Sequence, residues 1–384
     1  MALGMAEAAS LAQAVGRFVR ERLIPREAEI DENAGVPADV VAEIRELGLF
    51  ALTIPEEYGG LGLTAQEETE VVFELCYGAA DFRNVVGANI SLGGSALVQA
   101  GSDAQREKYL PRIASGEVIA AFALTESQTG SDASAVRTRA TRLPDGRWQL
   151  SGAKRYITNA GTADLYTIVA RSKPDSTGSD GLSLFLVERD TPGMSFGKPE
   201  KKLGQRGTVI GDVVFDNCVL PANALLGAEG DAFKVIIRQL NRSRVHIAAC
   251  CVGHSRRLID EALAYAMERR QFGQPIAQFQ LVQAMLADSQ ADYLAAQAMV
   301  RDTARRIDMG ESTSVDSSCC KMFASEALGR IADRAVQILG GAGYVSGPVE
   351  RLYRDQRMYR IIEGTTQIQQ TTIARQMIKA FAGS

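Results

Sequence analysis

The sequence has one tryptophan and two histidines in 384 residues. The histidines, His246 and His254, lie eight apart on a helical pattern and make no credible metal pair, so His246 reads mainly as a packing residue. The six cysteines include the adjacent pairs Cys250–Cys251 and Cys319–Cys320, a poor framework for disulfides, and they lack CxxC metal spacing. All six therefore read as reduced, mostly buried thiols of a cytoplasmic protein. No apolar run approaches the ~18–20 residues that a membrane span needs. Lys and Arg number 42 against 46 Asp and Glu, a net charge of −4 that gives no ground for proposing a nucleic-acid partner. GxSxG, HExxH and P-loop motifs are missing too, which removes the common hydrolase and triphosphatase readings.

What is present changes texture twice along the chain. Residues 1–117 are helical in pattern. The N-terminus carries Leu11, Val15, Phe18 and Val19 at helical spacing and reads as a first core helix, although an amphipathic, Arg-bearing start also fits a transit peptide. Pro37 and Gly48 bracket another helix, and helical segments are expected around Gln66–Tyr77, Asn84–Gln99 and Asp103–Ala114. Residues 118–229 hold short β-rich runs (VIAAFAL, WQLSG, RYIT, LYTIVA, LSLFLVER, DVVFDNCVL) separated by turn signals, which predicts a compact β-domain. Residues 230–384 return to long helices near 231–268, 276–307 and 314–339, whose length suggests a four-helix bundle. The class is mainly α with an inserted β-domain, the two helical parts sharing one core.

Four stretches could carry chemistry. ALTESQTGSD (Ala123 to Asp132) ends a β-run in a polar loop of hydroxyls and small residues, suited to a planar polar ligand or a phosphate and equally to an ordinary connection. ERRQFG closes one helix and Gln280 opens the next. QILGGAGY (Gln337 to Tyr344) puts consecutive glycines after a helix, as a C-cap or for close approach of a cofactor; it is not a dinucleotide fingerprint, since it follows a helix and Ser346 takes the third glycine's place. IIEGTTQ sets Glu363 beside a glycine and two threonines. Glu at a helix start is ordinarily a capping residue, and threonines can cap the helix that follows.

Taken in order, ALTESQTGSD, RYITN, ERRQFG, QILGGAGY and IIEGTTQIQ closely resemble the acyl-CoA dehydrogenase family over nearly the whole chain. The resemblance implies a homotetramer, each subunit with an N-terminal helical domain, a middle β-barrel and a C-terminal four-helix bundle, with FAD between them. Carried over by motif, Phe122, Ala123, Leu124, Thr125, Gly130 and Ser131, with Tyr156, Ile157 and Thr158, would line the isoalloxazine. Arg269, Gln271, Phe272 and Gln280, with Gln337, Gly340 and Gly341, would reach the adenine dinucleotide part, partly from a neighbouring subunit. Thr365 and Gln367 would close on the cofactor. Glu363 matches the family's usual catalytic base, and the alternative base position around Asn241 to Arg244 carries no acid. Arg244 and Gly364 match substrate-side positions, and Ser131 lies where the CoA arm passes.

The expected reaction is α,β-dehydrogenation of an acyl-CoA to the trans-2-enoyl-CoA. Glu363 removes the α-proton, flavin N5 accepts the β-hydride and an electron-transfer flavoprotein takes the electrons. An oxidase using dioxygen and a non-catalytic thioester-binding paralogue are the other readings. Three departures bear on substrate: Ile362 stands where many members have Tyr, Tyr156 where Trp is common, and the link from Tyr344 to Pro348 is one residue short. Arg83 falls near the arginine with which glutaryl-CoA dehydrogenases bind a distal carboxylate; a structural ion pair is the other reading. The acyl group stays open, a carrier-protein thioester included.

Overall fold

The computed structural model describes residues 4–311 and 313–383. The N-terminal helices are α1 (Met5–Phe18), α2 (Glu27–Asn33), α3 (Ala38–Glu46), α4 (Ala65–Leu75), α5 (Ala80–Ile90), α6 (Leu92–Ala100) and α7 (Asp103–Ala114). Helix α4 starts on a capping box: the Glu67 N–H donates to the Thr64 hydroxyl and the Thr64 N–H to the Glu67 carboxylate. Asp308, far along the chain, accepts from the Ala65 and Gln66 N–H groups and so places a carboxylate on that helix's positive end.

The single helix expected over Asn84–Gln99 is instead broken at Ser91, between α5 and α6. Gly93 and Gly94 explain the break. A Cβ on them would come within 2.7 Å of the Ala88 carbonyl oxygen and 2.0 Å of that of Asn89, so only glycine lets α6 fold back against the end of α5. The Ser91 hydroxyl donates to the Gly87 carbonyl across the break.

The strands are β1 (Ala120–Ala123), β2 (Arg139–Arg142), β3 (Trp148–Thr158), β4 (Leu165–Arg171), β5 (Leu182–Glu188), β6 (Met194–Phe196), β7 (Ile210–Leu220) and β8 (Leu225–Leu226). They form one sheet in the order β6-β7-β3-β2-β4-β5-β8, with β1 parallel to β4. No ladder joins the edge strands β6 and β8 among the described residues, so the pairing is that of an open sheet and barrel closure does not appear in it. The runs WQLSG and RYIT are one strand, β3, whose register against β7 shifts between Lys154 and Ile157. Bulges of this kind re-aim side chains. Tyr156 lies in the shift at φ +58°, exposed. The single tryptophan, Trp148, packs edge-on against Phe185 in the sheet core.

The chain then forms α8 (Ala232–Glu268), the hairpin β9 (Arg270–Gln271) and β10 (Gln274–Pro275), α9 (Gln280–Asp308), α10 (Ser314–Leu339), α11 (Gly341–Tyr344), α12 (Pro348–Asp355) and α13 (Thr366–Ala382). Helices α8, α9, α10 and α13 pack as a bundle, and α4 lies against α8 and α9. Val72, Phe73 and Cys76 of α4 share one buried cluster with Ala248, Leu258, Val300 and Leu328, so the two helical parts do have a common core. Each large apolar side chain fully buried there contributes about 1.5–3 kcal/mol. Among the described residues no helix is long and apolar enough to cross a membrane and no cluster of metal-ligating residues occurs.

Candidate active site

Glu363 sits on the turn before α13, at φ +54°, followed by Gly364 at φ +88°. It does not cap the helix; Thr365 does, its hydroxyl accepting from the Ile368 N–H. Strained left-handed backbone at a non-glycine residue persists only where surroundings hold it. Here the Gln369 amide donates to the Glu363 carbonyl at 2.9 Å and to that of Gly364 at 3.0 Å, and the Lys321 ammonium donates to the Gly364 carbonyl at 2.8 Å. Two buried side chains thus pin the turn, while the Glu363 N–H is spent on no intramolecular bond among the described residues.

Burial raises the Glu363 carboxyl above its ordinary range, opposed by Arg83, Ser243, Arg244 and Lys321 around it. Its Oε2 is buried without a hydrogen-bond partner. Burial also brings Lys321 down to about 8. Arg244, itself buried, reaches Ser318 at 3.3 Å.

Arg83 is buried on α5, and its Nε donates to His246 Nε2 at 2.8 Å. That nitrogen must therefore offer a lone pair, so the ring carries its proton on Nδ1 and donates to Glu68 at 2.8 Å. Glu68 is also paired with Arg242 at 2.8 Å. Burial alone would raise the Glu68 carboxyl, but Arg242 and His246 bring it to about 2. His246, expected mainly to pack, is the bridge of a buried polar chain that runs from Arg83 to Arg242.

The remaining predicted residues fall into two groups. Near the base, Phe122 and Leu124 pack on the cluster that holds Ile236 and Leu240 of α8, and the Arg155 N–H donates to the Thr125 carbonyl, which brings Thr125 beside Tyr156, Ile157 and Thr158. The Lys154 ammonium fixes this loop through the Leu124 carbonyl and Glu126. Ala123 and Ile157 turn their side chains into the core, so they offer a ligand only backbone. Gly130 and Ser131 are exposed. Ile362 packs against the bundle core beside the base, and Gln367 is exposed on the first turn of α13.

At the other end of the bundle, Arg269, Gln271, Phe272 and Gln280 lie exposed around the α8–α9 hairpin. Arg330 and Arg334 of α10 pair with Asp292 of α9, so the exposed Gln337, Gly340 and Gly341 sit at this same end. Lys321 and Gln337 are 16 residues apart on one helix, about 24 Å at 1.5 Å per residue. One chain therefore presents Glu363 and its bundle-end donors at well-separated places. Four residues that hold Glu363 or its neighbours were missed in the sequence: Glu68, Ser243, Lys321 and Gln369.

Profiles described as the N-terminal, middle and C-terminal domains of acyl-CoA dehydrogenase match residues 5–117, 121–218 and 230–378. The chain belongs to the acyl-CoA dehydrogenase family. An acyl-CoA dehydrogenase of Bacillus subtilis is 37% identical over 362 residues, 94% of this chain and 95% of that protein. The structure of butyryl-CoA dehydrogenase from Megasphaera elsdenii superposes with a TM-score of 0.93 at 32% identity, covering 98% of this chain and 100% of that one. A glutaryl-CoA dehydrogenase in complex with glutaryl-CoA gives 0.92 at 33% identity, covering 99% and 96%. An FAD complex of PigA gives 0.93 at 26%, covering 98% of each chain.

Members of this family are FAD flavoproteins, and the residues present fit that group. The Thr125 and Thr158 hydroxyls make no intramolecular hydrogen bond among the described residues and are free for a heterocycle's edge. At the bundle end, a Cβ on Gly273, Gly340 or Gly341 would meet nothing within 4 Å, which leaves the backbone open beside guanidinium and amide donors suited to phosphate.

Proposed function

We propose that this protein dehydrogenates an acyl-CoA thioester to the trans-2-enoyl thioester, with Glu363 as the base that removes the α-proton. One observation carries the reading: a carboxylate buried without a hydrogen-bond partner at one oxygen, on a turn pinned by Lys321 and Gln369. A desolvated carboxylate is a stronger base than one in water, and the weakly acidic α-proton needs that strength. The unspent Glu363 N–H is available to polarise the thioester carbonyl as charge develops on it. Arg83, Arg244 and Lys321 oppose the upward push that burial gives the carboxyl. When bound, FAD supplies the hydride acceptor for the β-carbon; Thr125, Tyr156 and Thr158 would hold its ring end. Gln337, Gly340 and Gly341, with Arg269 and Gln280, would hold the dinucleotide end.

The separation of base and bundle-end donors supports a homotetramer in which one subunit's bundle end serves a neighbour. Exposed Leu281, Tyr344 and Ile378 supply apolar surface for such contacts. We assign the electrons to a separate electron-transfer flavoprotein; rapid reoxidation by dioxygen in place of a one-electron acceptor would argue for an oxidase. The unpaired thiols support a cytoplasmic location. Fractionation of the cells that make the protein tests it. A second reading, a dicarboxylyl thioester, is favoured by the buried guanidinium of Arg83 beside the base. It requires Arg83→Ala to weaken glutaryl-CoA selectively. The decisive test of the main reading is Glu363→Gln: FAD retained in its yellow form, with flavin reduction by any thioester slowed about 10²–10⁴-fold. Near-normal turnover in that variant would sink the assignment.

A further inference from the structure

Beside the base lies a cavity of about 170 Å³ whose wall includes Thr53, Ser91, Ser95, Gln239, Ser243 and His246. Ser243 adjoins Glu363, and Gln239 stands one turn earlier on the same helix, so the cavity runs away from the base along α8. An engineered cavity of about 150 Å³ accepts benzene, so this one takes about six or seven heavy atoms. Ile90 and Val98 add apolar surface, and the polar part of the wall is unusual. Gln239 is 2% exposed, yet neither its amide nitrogen nor its carbonyl oxygen has a hydrogen-bond partner among the described residues, while the hydroxyl of Ser243, 4% exposed, adjoins the Glu363 carboxylate. Each such buried orphan costs about 1–3 kcal/mol unless something pairs it. The hydroxyls of Thr53 and Ser91 already donate to the carbonyls of Ile90 and Gly87, which leaves their oxygens able to accept.

Resting on the dehydrogenase reading, we propose that the substrate's acyl group is short and ends in a neutral group that both donates and accepts hydrogen bonds, a hydroxyl or a carboxamide. A hydrocarbon end would leave the Gln239 amide unpaired. A carboxylate end would find the charged side chains of the wall, Glu68 and Arg242, already paired at 2.8 Å, and would depend for its charge partner on the Arg83 guanidinium, which is engaged with His246. It would also face the Glu68 carboxylate, and of the Gln239 amide it could satisfy only the N–H groups. A neutral end satisfies the Gln239 amide from either side and meets acceptors at Thr53 and Ser91.

The test is anaerobic flavin bleaching of the FAD-loaded protein with matched thioesters: pentanoyl-CoA against 4-hydroxybutyryl-CoA, glutaryl-CoA against its monoamide, and decanoyl-CoA. The expected result is at least tenfold faster reduction, as kcat/KM, by the hydroxyl and amide members of each pair, with decanoyl-CoA slowest. Gln239→Met, close in shape and unable to pair, should bring the first ratio to about one with FAD content unchanged. Should that variant fold poorly, the comparison within the parent protein decides alone. Pentanoyl- or decanoyl-CoA as the best substrate, or glutaryl-CoA ahead of its amide, overturns this inference while leaving the dehydrogenase reading intact. Bleaching by no thioester at all overturns both.

Discussion

Replacing Asp355 by Asn should stabilise the protein at pH 8 more than at pH 5. Asp355 ends α12 and is 1% exposed, where the N-terminal helices, the β-region and the bundle meet. One carboxyl oxygen accepts from the Gln205 N–H, the other is buried with no partner, and burial beside Asp81 pushes the group up to about 7. The unfolded chain ionises it near 3.9. Between these values the folded state holds a proton that the unfolded state releases, so the protonated carboxyl's contribution is complete below about pH 4 and is lost as pH rises through 7. At about 1.36 kcal/mol per pH unit, the penalty is about 1.5 kcal/mol at pH 5 and about 4 kcal/mol at pH 8. Asn keeps the acceptor for Gln205 and cannot ionise. Urea midpoints of the two proteins at both pH values should therefore show the variant gaining about 2.5 kcal/mol more at pH 8 than at pH 5. An equal change at both, or a larger loss at pH 8, would refute the reasoning.

Two further outcomes follow from the packing. Lys154→Met leaves Glu126 buried without its 2.8 Å partner and should cost about 3–5 kcal/mol by urea unfolding; adding Glu126→Gln should recover part of that, and a double variant as unstable as the single would count against the pair. Ile378→Asp puts a charge on an exposed apolar position of α13 and should yield a lighter species in sedimentation with reduced FAD occupancy. A parent protein that sediments as one chain with full FAD would end the tetramer reading.

The helical and β regions were legible because periodicity reports burial on one face. Helix α4 carries both its capping box and its apolar stripe in the sequence. The break at Ser91 was not legible, because Asn84–Gln99 keeps helical spacing throughout. What interrupts it is the close approach of Gly93 and Gly94 to the carbonyls of Ala88 and Asn89, a tertiary fact. That break matters for function, since Ile90, Ser91 and Ser95 line the cavity beside the base.

Within the site, the short motifs showed themselves because turns and glycines punctuate a sequence. Glu363, Tyr156 and Phe272 all take positive φ, and each falls in a motif that had been singled out. The supporting residues were hidden in ordinary helices. Gln239, Arg242, Ser243 and His246 recur at three- and four-residue spacing, so they lie on one face of α8. A polar stripe at that spacing is normally the solvated face of a helix. Here three of the four side chains are nearly buried, and Arg242 reaches back to Glu68. The polar run from Arg238 to Arg244 hid this in the sequence, because only Gln239, Ser243 and Arg244 of it are buried while Arg238 is exposed. A buried polar stripe must meet either other polar side chains or a ligand. Glu68 and Arg83 answer for Arg242 and His246, Glu363 adjoins Ser243, and among the described residues nothing pairs the Gln239 amide.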